Sequence, residues 1–301
     1  MRIGMVGLGR MGGNMTKRLL RAGHEVVGYT RSKEGVAAAE REGAVGAHSL
    51  QEVVDQVEPR RAVWLMIPAG DPTEQAVAEL GELLDEGDVV IDGGNSRYTD
   101  TIRRGELLAD EGISLLDAGT SGGIWGLESG YCLMVGGDAD AVEYVGPVFE
   151  ALAPEGGFAH VGPPGAGHFT KMVHNGIEYA LMQAYGEGFE LLASSDFDLD
   201  VGQIAELWNH GSVVRSWLLE LAAGAFEADP KLDEVAPYIE DSGEGRWTLE
   251  HAINNAIPVP TIATALFARF ASRQDASFAG KMIAALRKEF GGHEVRKPTG
   301  E

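Results

Sequence analysis

Arg2-Ile3-Gly4-Met5-Val6-Gly7-Leu8-Gly9-Arg10-Met11-Gly12 decides the fold of this chain. Residues 2–6 are an apolar run that reads as a buried strand, and a GxGxxG spacing follows it directly and opens a helical pattern over 12–22. In that context Gly7 permits the tight turn and Gly9 lets backbone approach a pyrophosphate. Gly12 permits close helix–strand packing, and the helix N-terminus faces the anion. The loop Gly7, Leu8, Gly9, Arg10, Met11 and Gly12 is therefore expected to hold a dinucleotide.

Outward from this unit, further apolar runs lie at 25–29, 62–67, 88–92, 113–117 and 131–136, with helical patterns between several of them, such as 73–84. Strand–helix alternation predicts a parallel sheet covered by helices. Gly162-Pro163-Pro164-Gly165-Ala166-Gly167 is the strongest break in the chain, which places a domain boundary between residues 163 and 164. The texture then changes. Helical patterns run over 165–195, 200–210, 212–228, 248–256, 260–273 and 276–290, without a continuous strand candidate. The expectation is an α/β dinucleotide-binding domain, 1–163, followed by an all-α domain, 164–301, that ends in a short tail from Gly291.

The 301 residues hold 24 basic and 46 acidic side chains, a net charge of −22, which argues against nucleic acid and anionic membrane surfaces as partners. A phosphorylated substrate then requires locally concentrated arginine or lysine. Salt-adapted proteins carry such acidic surfaces, but other proteins do too. No apolar stretch approaches the ~20 residues that a bilayer requires. A strand starting at Arg2 leaves no room for a signal peptide. The single cysteine, Cys132, excludes an intrachain disulfide and argues against a cysteine zinc site; it suits a reducing cytoplasm. No metal is expected.

The second strand ends before Thr30-Arg31-Ser32-Lys33, with no carboxylate until Glu34. NAD sites usually place Asp or Glu near this point to bind the ribose 2′-hydroxyl. Arg31 flanked by the hydroxyls of Thr30 and Ser32 suits a 2′-phosphate instead. The reading is NADP, with NAD possible. A solvated loop arginine and an enzyme that takes either cofactor is the alternative.

Lys171, His174, Asn175 and Glu178 lie on the long helical pattern, within one arc of about 100° at about 100° per residue, with Tyr179 just beside them. Such a stripe is costly to bury unless it faces a wet cleft, and the chemistry these side chains share is proton transfer. Two glycine-flanked motifs sit at strand ends: Asp92-Gly93-Gly94-Asn95-Ser96 and Asp117-Ala118-Gly119-Thr120-Ser121-Gly122-Gly123. Ligands of open parallel sheets bind beyond those ends. Glycine exposes backbone N–H groups there, and Asn95 and Ser121 supply side-chain hydrogen bonds.

With these stretches in place, the chain resembles the decarboxylating 6-phosphogluconate dehydrogenases, in particular their short form, within the β-hydroxyacid dehydrogenase superfamily. The matching stretches are GLGRMGGNM, LMIPAG, DGGNS, TSGG, KMVHNGIEYALMQAYGEG, GRWT, FAR and RKEFGGH, spread from residue 7 to residue 293. The resemblance implies a Rossmann-type domain followed by a helical one. It implies oxidation and decarboxylation of 6-phospho-D-gluconate to D-ribulose 5-phosphate, a step of the pentose phosphate pathway and of gluconate utilization. By the same resemblance Lys171 is the general base at the 3-hydroxyl and Glu178 the acid that protonates C1 of the enediol. Asn95, Ser121, Gly122, Gly123, His174, Asn175 and Tyr179 line the substrate. Ile67, Pro68, Ala69 and Asn95 complete the cofactor site. Arg269 is implied as a phosphate ligand, and Arg287 with His293 as a pair that reaches the partner subunit's site in a homodimer or dimer of dimers. Where long-form members carry lysine and threonine before GRWT, this chain has Ser242 and Glu244; a glutamate there repels phosphate, and Arg246 or the partner's Arg287 is expected to offset it.

Two other readings use the same residues. One is a superfamily oxidoreductase of a small unphosphorylated hydroxy acid such as 3-hydroxyisobutyrate, which needs Lys171 and Asn175 but not Arg269, Arg287 or His293. The other is a non-catalytic NADP sensor, which needs no Lys171–Glu178 pair.

Overall fold

A computed structural model describes residues 1–296. The chain divides into two compact units, Met1–Asn175 and Gly176–Glu301.

The first unit starts with β1 (Arg2–Val6), α1 (Arg10–Arg21), β2 (Glu25–Tyr29), α2 (Lys33–Arg41), β3 (Val45–Ala47) and α3 (Leu50–Gln56). It continues through β4 (Ala62–Leu65), α4 (Asp71–Leu83), β5 (Val89–Asp92), α5 (Tyr98–Ala109) and β6 (Ser114–Ser121). A 3-10 turn (Gly123–Trp125), α6 (Gly126–Ser129), β7 (Cys132–Gly136), α7 (Ala139–Leu152) and β8 (Phe158–Gly162) complete the sheet. The strand order is β3-β2-β1-β4-β5-β6-β7-β8.

Successive residues of each inner strand point to opposite faces, so the sheet divides the apolar side chains between two cores. Ile3, Met5, Trp64 and Ile91 join one with Met15 and Leu19 of α1 and Phe149 of α7. Val6, Val63, Leu65 and Val90 join the other with Val53 of α3, Leu80 of α4 and Leu108 of α5.

The α/β expectation holds, with three corrections. The sheet is not wholly parallel, because β6 and β7 pair antiparallel. The short connection 122–131 explains this: a parallel return needs a crossover of about a dozen residues or more, usually helical. β6 also runs on to Ser121, beyond the expected 117, because its far half pairs with β7. β3 and β8 went unanticipated. β3 has three residues, and β8 is an edge strand with three exposed positions, so neither carries a clear apolar period.

The long helix α8 (Ala166–Ala193) starts in the first unit and continues into the second. It is followed by α9 (Val201–Asn209), α10 (Trp217–Ala228), α11 (Glu244–Asn254), α12 (Pro260–Ala271) and α13 (Phe278–Gly291). The expected all-helical second half is observed. Side-chain caps set several starts: Asp200 accepts from Gln203 N, Ser216 from Leu219 N and Ser277 from Gly280 N. Two small cores form in this unit, one around Tyr179, Ala265 and Leu266, the other around Phe189, Ala205 and Leu219. None of the residues of α13 is buried. The expected tail, from Gly291, is described as far as residue 296; residues 297–301 lie outside the described residues.

No helix among the described residues is long and apolar enough to cross a membrane.

Candidate active site

Gly7, at φ +97°, turns the chain out of β1; a Cβ there would lie 2.2 Å from the Met66 carbonyl oxygen. At Gly12 a Cβ would lie 1.8 Å from the Gly7 carbonyl oxygen, so only glycine lets α1 approach the strand. Gly9 differs: an added Cβ there meets nothing within 4 Å. Gly9 is the N-cap of α1, with no side-chain cap and no acidic residue in the first turn. Uncapped N–H groups thus face open space at a helix N-terminus, which fits a pyrophosphate. Leu8 packs over Gly28 of β2, where a Cβ would come 3.2 Å from its side chain.

At the ribose end the structure is less simple than the sequence implied. Arg31 is exposed. Ser32 is committed to α2, whose N-terminus it caps by accepting from Gly35 N at 3.1 Å. Its hydroxyl also donates to Glu34 at 3.0 Å. The backbone N–H of Glu34 and then the Ser32 hydroxyl hold that exposed carboxyl below its ordinary range. A carboxylate therefore stands beside the loop that carries Thr30, Arg31 and Ser32.

Beyond β4, Thr73 donates to the Pro68 carbonyl at 2.9 Å and fixes the segment Ile67-Pro68-Ala69. Beyond β5, Asp92 is fully buried and accepts from Gly94 N at 3.0 Å and from the Ser96 hydroxyl at 2.7 Å. Behind it, buried Arg104 lies 3.6 Å from Asp92 and 2.8 Å from Glu74. The Arg103 hydrogen bond first, and Arg104 with it, holds the Glu74 carboxyl down at about 2. Asn95 adopts φ +52°, and its amide ties to β6: Oδ1 accepts from Thr120 N at 2.9 Å and Nδ2 donates to Thr120 O at 3.2 Å. These two bonds join the strand-end loops and use one of the two amide N–H groups and one of the two lone pairs on the oxygen. Ser121 is half-buried at the end of β6, and Gly122 and Gly123 turn away at φ +124° and +52°.

The α8 stripe contains the acid–base candidates. Lys171 is 6% exposed, and its Nζ lies 3.5 Å from His174 Nδ1. That ring nitrogen lies 3.2 Å from Asn175 Oδ1. Glu178 is half-buried two turns on, about 10 Å along the axis at 1.5 Å per residue.

In the second unit, Tyr179 and Arg269 meet. The Arg269 guanidinium carbon lies 3.6 Å from the Tyr179 ring centroid, and its Nη1 donates to Glu240 O at 2.8 Å. Arg269 is only 9% exposed, so stacking and this hydrogen bond fix its orientation. The Tyr179 hydroxyl accepts from Ser242 N at 3.3 Å, and the Ser242 hydroxyl donates to Glu244 at 2.5 Å. Arg246 does not offset Glu244 as expected. It donates to Asp241 at 2.6 and 3.1 Å, and Arg273 donates to the same carboxylate at 2.5 Å. These hydrogen bonds, Arg246's first, hold the Asp241 carboxyl down at about 2. Arg246 and Arg273 thus share one carboxylate, while Arg269 has a backbone carbonyl and an aromatic ring as its partners.

Arg287 and His293 are exposed on and just beyond α13. Asp117, His168, Asp241 and Arg273 were missed. Only Asp117 carried a signal, as the carboxylate that opens the second glycine-flanked loop. Among the described residues no group of three or more His, Cys, Asp or Glu is placed to hold a metal ion.

A glycine-rich loop at the end of β1, an α/β sheet and a lysine-bearing helix leading into a helical unit define a nicotinamide-dinucleotide-dependent oxidoreductase. Residues 2–162 match the family described as the NAD binding domain of 6-phosphogluconate dehydrogenase, and residues 167–294 match the 6-phosphogluconate dehydrogenase C-terminal domain. A Haloferax volcanii protein named as an NAD(+)-dependent, decarboxylating 6-phosphogluconate dehydrogenase is 47% identical over 300 residues, 99% of each chain. The YqeC protein of Bacillus subtilis (strain 168) is 46% identical over 297 residues, 99% of this chain and 100% of its own. Among solved structures, Plasmodium falciparum 6-phosphogluconate dehydrogenase, studied with NADP+ and with 6-phosphogluconate, superposes with a TM-score of 0.83 at 28% identity. That match covers 100% of this chain and 67% of the other. The chain belongs to the 6-phosphogluconate dehydrogenase family.

Proposed function

We propose that this chain oxidises 6-phospho-D-gluconate at C3 and decarboxylates the product to D-ribulose 5-phosphate and CO2, reducing NADP or NAD. The observation that carries the reading is the α8 stripe, with buried Lys171 against His174 and Glu178 two turns on, in a chain of this family.

The loop Gly7–Gly12 holds the dinucleotide pyrophosphate on the uncapped N-terminus of α1. A nicotinamide dinucleotide held there would supply the acceptor for the C3 hydride. Lys171, as the free amine, takes the 3-hydroxyl proton so that the C–O bond becomes a carbonyl. The ammonium so formed donates to the new keto oxygen. As CO2 departs, the electron pair of the broken C1–C2 bond moves toward that oxygen, which takes the lysine's proton and gives an enediol. Glu178 delivers a proton to the carbon that lost CO2, and Lys171 recovers the enediol hydroxyl proton. Asn95, Ser121, Gly122, Gly123, His174 and Asn175 orient the sugar acid, while Tyr179 and Arg269 hold its phosphate. The fixed, stacked guanidinium of Arg269 favours a phosphorylated substrate over a small unphosphorylated hydroxy acid. The test is formation of reduced cofactor and CO2 in equal amounts from 6-phosphogluconate. Turnover of 3-hydroxyisobutyrate in its place would overturn the reading.

The preferred cofactor is NADP, on the strength of exposed Arg31. The Haloferax volcanii relative is named NAD(+)-dependent, so membership of the family does not decide this. Arg31→Asp is expected to weaken NADP relative to NAD by about 10- to 100-fold, the value of one charge-assisted hydrogen bond at ~1.5–3 kcal/mol. Ratios of kcat/KM for the two cofactors check it; equal ratios before and after the change would remove Arg31 from the site.

The active species is a homodimer, or a dimer of dimers, with sites shared between chains. α13 supports this: it exposes Phe278, Met282, Ile283, Leu286 and Phe290 and buries nothing. A helix with so much exposed apolar surface is the material of an interface. Mixing Lys171→Met with Arg287→Ala under conditions of subunit exchange should restore part of the activity, because some mixed dimers regain one intact site. A fully active monomer in sedimentation, or no recovery despite proven exchange, would return Arg287 and His293 to their own chain. The free thiol of exposed Cys132 supports a reducing, cytoplasmic setting.

A further inference from the structure

Asp117 has no part in the mechanism above, yet it is fully buried at the end of the sheet that faces α8. It lies on β6, paired in register with Asp92 of β5 and Gly136 of β7. Its Oδ1 accepts from Gly165 N at 2.7 Å, and its Oδ2 accepts from His168 N at 2.7 Å. Gly165 precedes the first residue of α8 as its N-cap, since its carbonyl accepts from Phe169 N at 2.9 Å. The two N–H groups that Asp117 takes are therefore those a capping box satisfies, at the N-cap and three residues on. Gly165 has no side chain with which to cap its own helix. The cap is supplied from a strand 48 residues away in sequence.

The same strand controls the next turn. Gly119 lies two residues beyond Asp117, hence on the same face of β6. A Cβ at Gly119 would lie 2.6 Å from Lys171 Cβ and 2.7 Å from Gly167 O. Between these points His168 forms a further tie: its Nε2 lies 3.1 Å from Asp92 O, where it donates, and its Nδ1 lies 2.8 Å from the Thr101 hydroxyl. The first turns of α8 are thus fastened to β6 at Asp117, to the end of β5 through His168, and pressed onto β6 at Gly119 beneath Lys171.

We propose that Asp117 is a positioning residue for Lys171: its carboxylate caps α8 from β6 and sets the height and rotation at which the helix presents the lysine amine to the reacting hydroxyl. This rests on the reading of Lys171 as the base. A general base works only within hydrogen-bond reach of its proton, and a displacement of about 1 Å costs about 100-fold in rate. Asp117→Asn is nearly isosteric, but it turns an NH2 group toward one of the two N–H donors. Asp117→Ser keeps one short acceptor.

The test compares both variants with the parent in the full-length chain. Active sites are counted by NADP titration, so that loss of folded protein does not pass for loss of rate. The expected result for either variant is a kcat per NADP site lower by at least about 10-fold, with KM for 6-phosphogluconate and Kd for NADP within about 3-fold. The deuterium isotope effect on kcat with 6-phosphogluconate labelled at C3 should rise, because the misaligned chemical step becomes more rate-limiting. Amide hydrogen exchange over residues 165–171 should speed up while that of β1 and β4 stays parental. Parental kcat per site with a parental isotope effect overturns the proposal. So does unchanged exchange over 165–171. Loss of NADP binding in both variants also overturns it, because Asp117 would then serve the fold as a whole. If the parent does not turn over 6-phosphogluconate, the reading of the reaction fails separately, and exchange over 165–171 alone decides whether Asp117 holds the helix.

Discussion

Lys171→Met is expected to abolish both oxidation and decarboxylation. Methionine matches the apolar stem as far as Cε and lacks only the terminal nitrogen, so the buried position stays largely filled. What is lost is the amine that, in the proposed mechanism, takes the 3-hydroxyl proton and later donates to the keto oxygen. One positioned acid–base group is worth about 10²–10⁴-fold, and this one serves two successive steps, so the loss belongs at or beyond the upper end. NADP binding should survive, because the dinucleotide loop belongs to β1 and α1. Single-turnover measurement of reduced cofactor checks the first step, and trapped CO2 the second. A variant with near-parental turnover would show that the base lies elsewhere.

Glu178→Gln separates the steps. Glutamine keeps the shape of the side chain and gives up the transferable proton. Hydride transfer does not use that proton, so reduced cofactor should still form in a first burst. Protonation of the carbon that lost CO2 should become slow, and steady-state turnover should fall by about 10²–10⁴-fold, the worth of a positioned proton donor. The observable is a burst of reduced cofactor, close to one per site, followed by a slow phase. Equal reductions in burst and steady state would instead place Glu178 in substrate binding, since a group used only late cannot slow the first step.

The dinucleotide loop and the polar stripe of α8 were legible because each is local. Gly7, Gly9 and Gly12 lie within one strand–turn–helix, and the sterics that demand glycine there act between near neighbours in sequence. Lys171, His174, Asn175 and Glu178 share a face because helix geometry alone puts them there. Three-residue β3 and edge strand β8 were not legible, because neither is long enough or buried enough to leave a period. Arg246 illustrates a different limit. Its charge suggested, as one of two candidates, an offset to the repulsion of a phosphate by Glu244, but folding brings Asp241 and Arg273 to it, and that pairing depends on where α12 lies.

The sequence by itself determined the α/β unit and its helical sequel, the dinucleotide loop and the stripe of Lys171, His174, Asn175 and Glu178, because periodicity and short motifs express forces within one element. Only the tertiary structure decided what those groups lean on. It ties the Asn95 amide to Thr120, stacks Arg269 on Tyr179 and caps α8 with Asp117. Each of these contacts joins elements distant in the chain, and a hydrogen bond of about 3 Å between such elements exists only once the sheet order and the helix packing have brought donor to acceptor.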